Sequence, residues 1–319
     1  MRWSVVRSIY DLDQERWDAI AGPELTMTHR WHRVMEASRV AYQPRYVLAE
    51  DERGPLAAIV AERSPSVGSG WRNLVLRRLT LIVSAPYSSR HTGIAVRPGA
   101  SLDGIETLLR RLAWHERRPL LAVSNVGTSE LPGWRRRRFH ARPQPPYMVL
   151  DLQSAGYEAY LERLPARARH ELRRAKRRAA EADVAIRDIR LDDSAVELYP
   201  LLAEVARRHG PVVFSPNVFP TLARELGDRA LVLAATAHGQ NAGFFLCFRQ
   251  GSSLLAVIAG LRYTLAYPSS AYFMLLDELV RWSIEHGIKR IYAGLSNEVQ
   301  KQRHGFQPRA RWLCVRAFP

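Results

Sequence analysis

The stretch Ala271-Tyr-Phe-Met-Leu-Leu-Asp-Glu-Leu-Val-Arg-Trp-Ser-Ile-Glu-His-Gly287, which runs straight into Ile288-Lys-Arg-Ile-Tyr-Ala-Gly294, decides the fold class. Tyr272, Leu276, Leu279, Val280 and Ser283 recur at three- and four-residue steps and share one face, the spacing of a helix with an apolar side. Ser269 or Ser270 offers an N-cap, and Gly287 supplies the left-handed residue on which helices stop. The segment after Gly287 is short and apolar, and the runs at 243–249 and 254–259 before the helix read as strands. The pattern is strand, helix, strand within an α+β unit. Working outward, helices are expected at 155–182, with a restart at Pro165, at 194–209 and at 220–226, and strands at 148–152, 230–236, 290–293 and 312–317. His238-Gly-Gln-Asn241 and Gln250-Gly-Ser252 mark hairpin turns. The first half has the same order: an apolar segment at 3–9, helices at 13–20 and 27–37, strands at 45–49, 57–62, 79–84 and 93–96, a helix at 102–116 and a buried strand at 120–126. A break-rich stretch, Arg135-Arg-Arg-Arg138 followed by Pro143-Gln-Pro-Pro146, separates the halves. The expected domains are 1–145 and 146–319, two copies of one α+β unit.

Composition bounds the function classes. In 319 residues, 47% are hydrophobic and 24% charged, enough apolar material for packed cores and too much for a disordered chain. Cys247 and Cys314 lie in apolar runs, too few for a disulfide scaffold and suited to a reducing interior. The charged N-terminus lacks the apolar stretch of a signal peptide, and no run approaches the ~20 apolar residues of a membrane span. The expectation is a soluble, cytoplasmic protein. Of the 47 basic residues only Lys176, Lys289 and Lys301 are lysine, an arginine bias that a GC-rich coding sequence also produces. The net charge of +16 therefore says less than its placement. Residues 163–178 hold eight basic side chains against Glu171, a local +7. On a helix, Leu164, Ala168, Leu172, Ala175 and Ala179 share one face and leave the arginines on another. No CxxC, phosphate loop, dinucleotide fingerprint or Gly-x-Ser-x-Gly is present, so metal, nucleotide-hydrolysing and serine-hydrolase readings lose their support. No metal site is expected.

The strand–helix–glycine–strand order, with Gly305-Phe306 before a last strand, resembles the acyl-CoA-binding half of the GNAT N-acyltransferase superfamily. Tyr160-Leu-Glu-Arg-Leu-Pro-Ala-Arg-Ala-Arg-His-Glu-Leu-Arg-Arg-Ala-Lys-Arg-Arg178, Tyr292-Ala-Gly294 and Lys301-Gln-Arg-His-Gly-Phe306 are similar to the Fem-type aminoacyl- and peptidyltransferase branch. The resemblance covers most of 146–319 by motif and 1–145 by element order. It implies tandem GNAT-like domains, each a mixed, mostly antiparallel sheet flanked by helices. It also implies transfer from aminoacyl-tRNA, as co-substrate, to an amine of a small-molecule or peptide-like acceptor, by direct attack without a covalent enzyme intermediate or bound cofactor. The usual GNAT pyrophosphate loop is rich in glycine, which lets backbone N–H groups approach phosphate. Here Arg262-Tyr-Thr-Leu-Ala-Tyr-Pro-Ser-Ser-Ala271 has none. An acyl-CoA donor remains the alternative, because a serine-capped helix N-terminus still attracts an anion. A non-catalytic RNA-binding protein on a degenerate GNAT fold is the second.

Candidate roles follow. By resemblance, Lys301 matches the lysine beside the donor's acyl ester, where a fixed cation stabilises the oxyanion that amine attack creates. Glu298, close by in sequence, is the candidate to orient Lys301 or hold the acceptor amine. Arg167, Arg169, Arg173, Arg174, Lys176 and Arg177 form the candidate phosphate-binding face for tRNA, or for a phosphorylated acceptor. Tyr263, Tyr267, Ser269, Ser270 and Tyr292 complete the donor-binding set. Tyr87 and Arg90, in the polar loop Ser84-Ala-Pro-Tyr-Ser-Ser-Arg-His91, with Asn297 and His209, are the acceptor-binding candidates. His209 and His170 are also candidate bases.

Overall fold

A computed structural model describes residues 2–22, 24–63, 78–100, 102–153, 156–209 and 213–318. The chain divides into two compact units, Met1–Pro146 with Ala310–Pro319, and Tyr147–Arg309. The last ten residues, counted by sequence with the second half, belong structurally to the first.

The first unit contains β1 (Arg2–Val6), α1 (Gln14–Ala21), α2 (His29–Ser38), β2 (Pro44–Asp51), β3 (Gly54–Arg63), β4 (Thr80–Val83), β5 (Ile94–Val96), α3 (Leu102–His115), β6 (Leu120–Gly127), α4 (Leu131–Arg136) and the start of β7 (His140–Asp151). The second continues through β7 to α5 (Tyr157–Arg163), α6 (Ala166–Glu181), β8 (Ala185–Ile189), α7 (Leu191–His209), α8 (Val218–Leu226), β9 (Ala230–Ala237), β10 (Gln240–Gln250), β11 (Ser253–Leu261), α9 (Tyr263–Ala266), α10 (Ala271–Glu285), β12 (Arg290–Tyr292), α11 (Glu298–Arg303) and the start of β13 (Gln307–Ala317).

The pairings repeat. In the first unit antiparallel ladders join β1 to β2, β2 to β3, β3 to β4 and to β5, and β6 to β13, while β4 and β6 run parallel across α3. In the second, antiparallel ladders join β8, β9, β10 and β11 in turn, and β12 to β7, while β11 and β12 run parallel across α10. A helix is what a parallel crossover requires. The terminal strands are exchanged: β7, which follows β6 in the chain, pairs with β12, and β13, which follows β12, pairs with β6.

Alternation along β2 and β3 divides the first core. Val47, Ala49, Ile59 and Ala61 pack with Ile105, Leu108 and Leu112 of α3, whereas Tyr46, Ala58 and Val60 pack with Trp17, Met27 and Ala21 on the other face. The second core sets Leu231, Leu233, Phe245 and Leu254 against Tyr272, Leu275, Leu276, Leu279 and Val280 of α10. The face read from sequence on that helix is the buried one. His238 and Gly239 have φ of 48° and 70° at the expected hairpin turn, and Gly251 has 57° at the other.

Three differences from the sequence reading have clear causes. The break-rich stretch is a helix followed by a strand, because proline fixes φ near −65° and pushes its predecessor into extended conformations, so Pro143-Gln-Pro-Pro146 reads as extended chain. Helix α11 escapes notice because six residues are too few to display a period. Strand β8 has the mixed, half-exposed pattern of a sheet edge and was not expected at all. Among the described residues no helix is long and apolar enough to cross a membrane, no cluster of His, Cys, Asp and Glu is arranged to hold a metal, and Cys247 and Cys314 are free and buried.

One buried ion pair holds the first unit. Arg45, in β2, meets Glu116 at 2.7 Å, and Arg63 reaches the same carboxylate at 3.2 Å. Both Arg45 and Glu116 are buried. Breaking such a pair strands a charge, so Glu116→Ala is expected to cost about 3–5 kcal/mol in urea unfolding. A loss below about 1 kcal/mol would mean that water already compensates Arg45.

Candidate functional site

Lys301 lies on α11 and is only 5% exposed. Its helix opens at Asn297, in the left-handed region with φ 56°, and closes at Gly305, φ 79°. The Lys301 N–H donates to the Asn297 carbonyl at 3.1 Å, and its carbonyl accepts from Phe306 N–H at 3.1 Å. These contacts aim the side chain inward, where Nζ donates to the carbonyl oxygen of Ala293, just after β12. Ala293 is itself fixed by a 2.9 Å bond from its N–H to Met148. Burial lowers the ammonium's pKa to about 8, and no carboxylate pairs with it among the described residues. Glu298, the expected partner, is exposed and accepts instead from Gln302 Nε2 at 3.2 Å, because at the start of α11 it points along the helix surface.

The second unit gathers several of the candidates into one continuous file of rings. His209 Nε2 meets the Tyr263 hydroxyl at 2.9 Å, and Arg208 lies 4.3 Å from the Tyr263 ring centre. Tyr263 stacks on Tyr267 at 5.7 Å, and Tyr267 on Tyr272 at 5.6 Å. The Tyr272 hydroxyl, pushed above its usual pKa by burial, interacts with the Asn297 side chain. The file therefore runs from His209 to the N-cap of the helix that carries Lys301. Tyr272 is the member the sequence reading missed. It sits on the apolar face of α10 and is 2% exposed, so its spacing identifies it as core; the one available signal was a phenol among the aliphatic side chains and Ser283 of that face. Tyr292, on β12 beside Ala293, has its ring 6.4 Å from that of Tyr147.

The helix N-terminus differs from expectation in detail. Ser270 is the N-cap of α10 but makes no capping bond, since its left-handed φ of 65° directs the side chain elsewhere; it is fully buried and its Oγ has no partner. Ser269 Oγ accepts from Ala271 N–H at 3.3 Å and donates to the Leu265 carbonyl at 2.7 Å. A serine here adopts the backbone conformation that glycine ordinarily supplies. A cleft of about 410 Å³ opens beside this turn, lined by Thr264, Leu265, Pro268 and Ser269 on one side and by Arg178, Glu181 and His238 on the other.

Helix α6 buries Ala168, Leu172, Ala175 and Ala179, as the spacing requires, and leaves Arg167, Arg173, Arg174, Arg177 and Arg178 exposed with His170. Three predicted phosphate binders are engaged within the protein, Arg167 with Glu171 at 3.4 Å along the helix surface. Arg169 donates to the Glu162 carbonyl at 2.9 Å, and Lys176 sits 3.3 Å from buried Asp277, which also accepts from the Tyr157 hydroxyl. Lys176 thus fastens α6 to α10. In the first unit, Tyr87 is 40% exposed with φ 59°, and Arg90 is ion-paired with Glu24.

Residues 166–302 match the sequence profile of the family described as Acetyltransferase (GNAT) domain. No curated protein matches the chain. Three solved structures are similar over nearly their whole length. FemX has a TM-score of 0.63 at 9% identity, over 98% of this chain and 97% of its own. The C-terminal domain of a putative lysylphosphatidylglycerol synthetase from Agrobacterium fabrum has 0.61 at 12%, over 97% and 92%. A tandem GNAT protein from the clavulanic acid biosynthesis pathway has 0.56 at 16%, over 100% and 99%. The second unit thus carries a GNAT acyltransferase domain. The chain as a whole shares its fold with these structures, a tandem GNAT protein and FemX among them, which is the tandem fold that the sequence motifs implied.

Proposed function

We propose that this chain is an aminoacyltransferase that moves an aminoacyl group from aminoacyl-tRNA to the amine of a small-molecule or peptide-like acceptor. Buried Lys301, a cation with no counter-charge among the described residues and carried on the helix whose N-cap the Tyr263–Tyr267–Tyr272–Asn297 file reaches, carries the reading. The amine nitrogen attacks the ester carbonyl carbon, and the carbonyl oxygen takes the negative charge that Lys301 Nζ offsets. The C–O bond to the tRNA ribose then breaks, the amide forms, and the amine's proton leaves with the ribose oxygen as a hydroxyl. Tyr263 and Tyr267 offer stacking faces to the donor's terminal base, and the exposed arginines of α6 suit its phosphates.

Support for tRNA over acyl-CoA comes from the turn without glycine and from the exposed basic face of α6. The fold shared with a putative lysylphosphatidylglycerol synthetase, whose named product bears an aminoacyl group, agrees with it. The acyl-CoA reading has its own observation: the cleft joins Arg178 to the start of α10, whose N-cap side chain leaves first-turn N–H groups available to an anion. Incubation with mixed charged tRNAs and, separately, with acyl-CoAs, following amine-dependent loss of the acyl group, decides between them. For tRNA, the logarithm of the binding constant is expected to fall steeply and linearly with that of salt concentration. Each exposed α6 arginine changed to glutamine should reduce the slope by about 1. A flat salt dependence excludes the tRNA reading.

A further inference from the structure

Among the described residues, the buried carboxylates, lysines and arginines have a counter-charge, apart from two cations. Glu24 pairs with Arg90, Arg45 with Glu116, Glu225 with Arg224, and Asp277 with Lys176. Among the described residues, buried Lys301 and Arg311 have none. A lysine can shed its proton; a guanidinium cannot, so an uncompensated buried arginine is the more costly of the two.

Arg311 is 8% exposed. Its Nε donates to the Pro145 carbonyl at 2.7 Å and its Nη1 to Asn125 Oδ1, both neutral acceptors, which leaves three of its five N–H donors without an acceptor among the described residues. Asn125 is itself unusual. It lies within β6 at φ 60°, where the register against β13 slips, so that Ser124 and Asn125 together face Leu313 alone. Such a bulge re-aims a side chain at the expense of regular pairing. Asn125 Nδ2 donates to the carbonyls of Ser88 and His91 at 3.0 and 3.1 Å, and its N–H to Gln144 Oε1 at 3.1 Å. The arginine, the bulge and the Ser88–His91 loop are thus one assembly, wholly within the first unit.

We propose that Arg311, supported by Asn125, binds the carboxylate of a small ligand, such as an amino acid or peptide. The geometry favours a single negative charge. One guanidinium is available, Arg90 is already neutralised by Glu24, and burial holds His91 below the usual imidazole range. A phosphate dianion would bring one charge too many.

The test is therefore binding, on the full chain at constant ionic strength. Thermal unfolding and calorimetry are run with acetate, glycine and glycylglycine, against acetamide, glycinamide and inorganic phosphate. The carboxylates are expected to raise the unfolding temperature and the amides to leave it unchanged. Arg311→Lys keeps the charge but loses the fork, and should weaken carboxylate binding at least ~30-fold; Arg311→Met should abolish it. Should Arg311→Met fail to fold, the lysine variant decides. Equal responses to acetate and acetamide, an unchanged response in Arg311→Lys, or stronger protection by phosphate each overturn the proposal. Carboxylate binding without transfer from any donor would refute the transferase reading alone.

Discussion

Lys301→Ala is expected to lower turnover at least ~100-fold, the scale on which a single oxyanion-stabilising donor acts, while the fold persists. Lys301 Nζ is bonded to a backbone carbonyl and has no counter-charge among the described residues, so its removal strands no buried charge. The effect should fall on kcat, because the charge it meets exists only in the transition state. The pH profile carries the sign. With its pKa lowered by burial to about 8, Lys301 is charged below that pH, so kcat is expected to fall on the alkaline side with a midpoint near 8. A kcat that climbs through pH 8 would reassign Lys301 to proton abstraction, and unchanged turnover in the alanine variant would favour a non-catalytic protein. Stability moves the other way. Between about pH 8 and 10.5 the folded chain has released this proton while the unfolded chain retains it, so stability rises with pH in that window. Relative to Lys301→Met, the wild type should gain about 3 kcal/mol across it, at 1.36 kcal/mol per unit. Parallel stability curves for the two proteins would show that Lys301 is not desolvated.

Gly93→Ala is the second large effect, on folding. Gly93 has φ +81°, which costs a residue with a Cβ about 1–2 kcal/mol. The added Cβ would stand 2.4 Å from the Ser84 carbonyl carbon and 2.7 Å from Ala85 N. Neither backbone can yield easily, since Gly93 O accepts from Val60 N–H at 2.8 Å and Ser84 N–H donates to Val60 O at 3.2 Å. Overpacking adds about 1–3 kcal/mol, for a total of about 2–5 kcal/mol in denaturant unfolding. Gly99→Ala is the control: φ is +83° but nothing lies within 4 Å, so only the backbone term remains. Equal losses in both variants would dismiss the packing argument.

How much of the site was legible depends on the residue. Lys301 stood out because lysine is rare in this chain and because it precedes Gly305-Phe306. Its burial did not, since α11 is too short to show which way it faces. His209 and Tyr263 lie 54 positions apart and nothing in their local sequence links them; the meeting of the end of α7 with the start of α9 does. Tyr272 was legible only as core. Lys176 read as one more cation on a basic helix, and only Asp277, from another helix, shows that it is spent on packing. Arg311 was invisible because its meaning lies in the absence of a counter-charge, which no pattern of neighbours along the chain can reveal.

By itself the sequence determined the two α+β units, the capped helix at 271–285, the buried faces of that helix and of α6, and the concentration of positive charge at 163–178. These follow from periodicity and turn chemistry, which act over a few residues. The tertiary structure alone decided the exchange of β7 and β13, the file of rings ending at Asn297, and the burial of Lys301 and Arg311 with no counter-charge among the described residues. Those depend on which side chains meet across long stretches of chain, and on how much water is left around a charge once they have met.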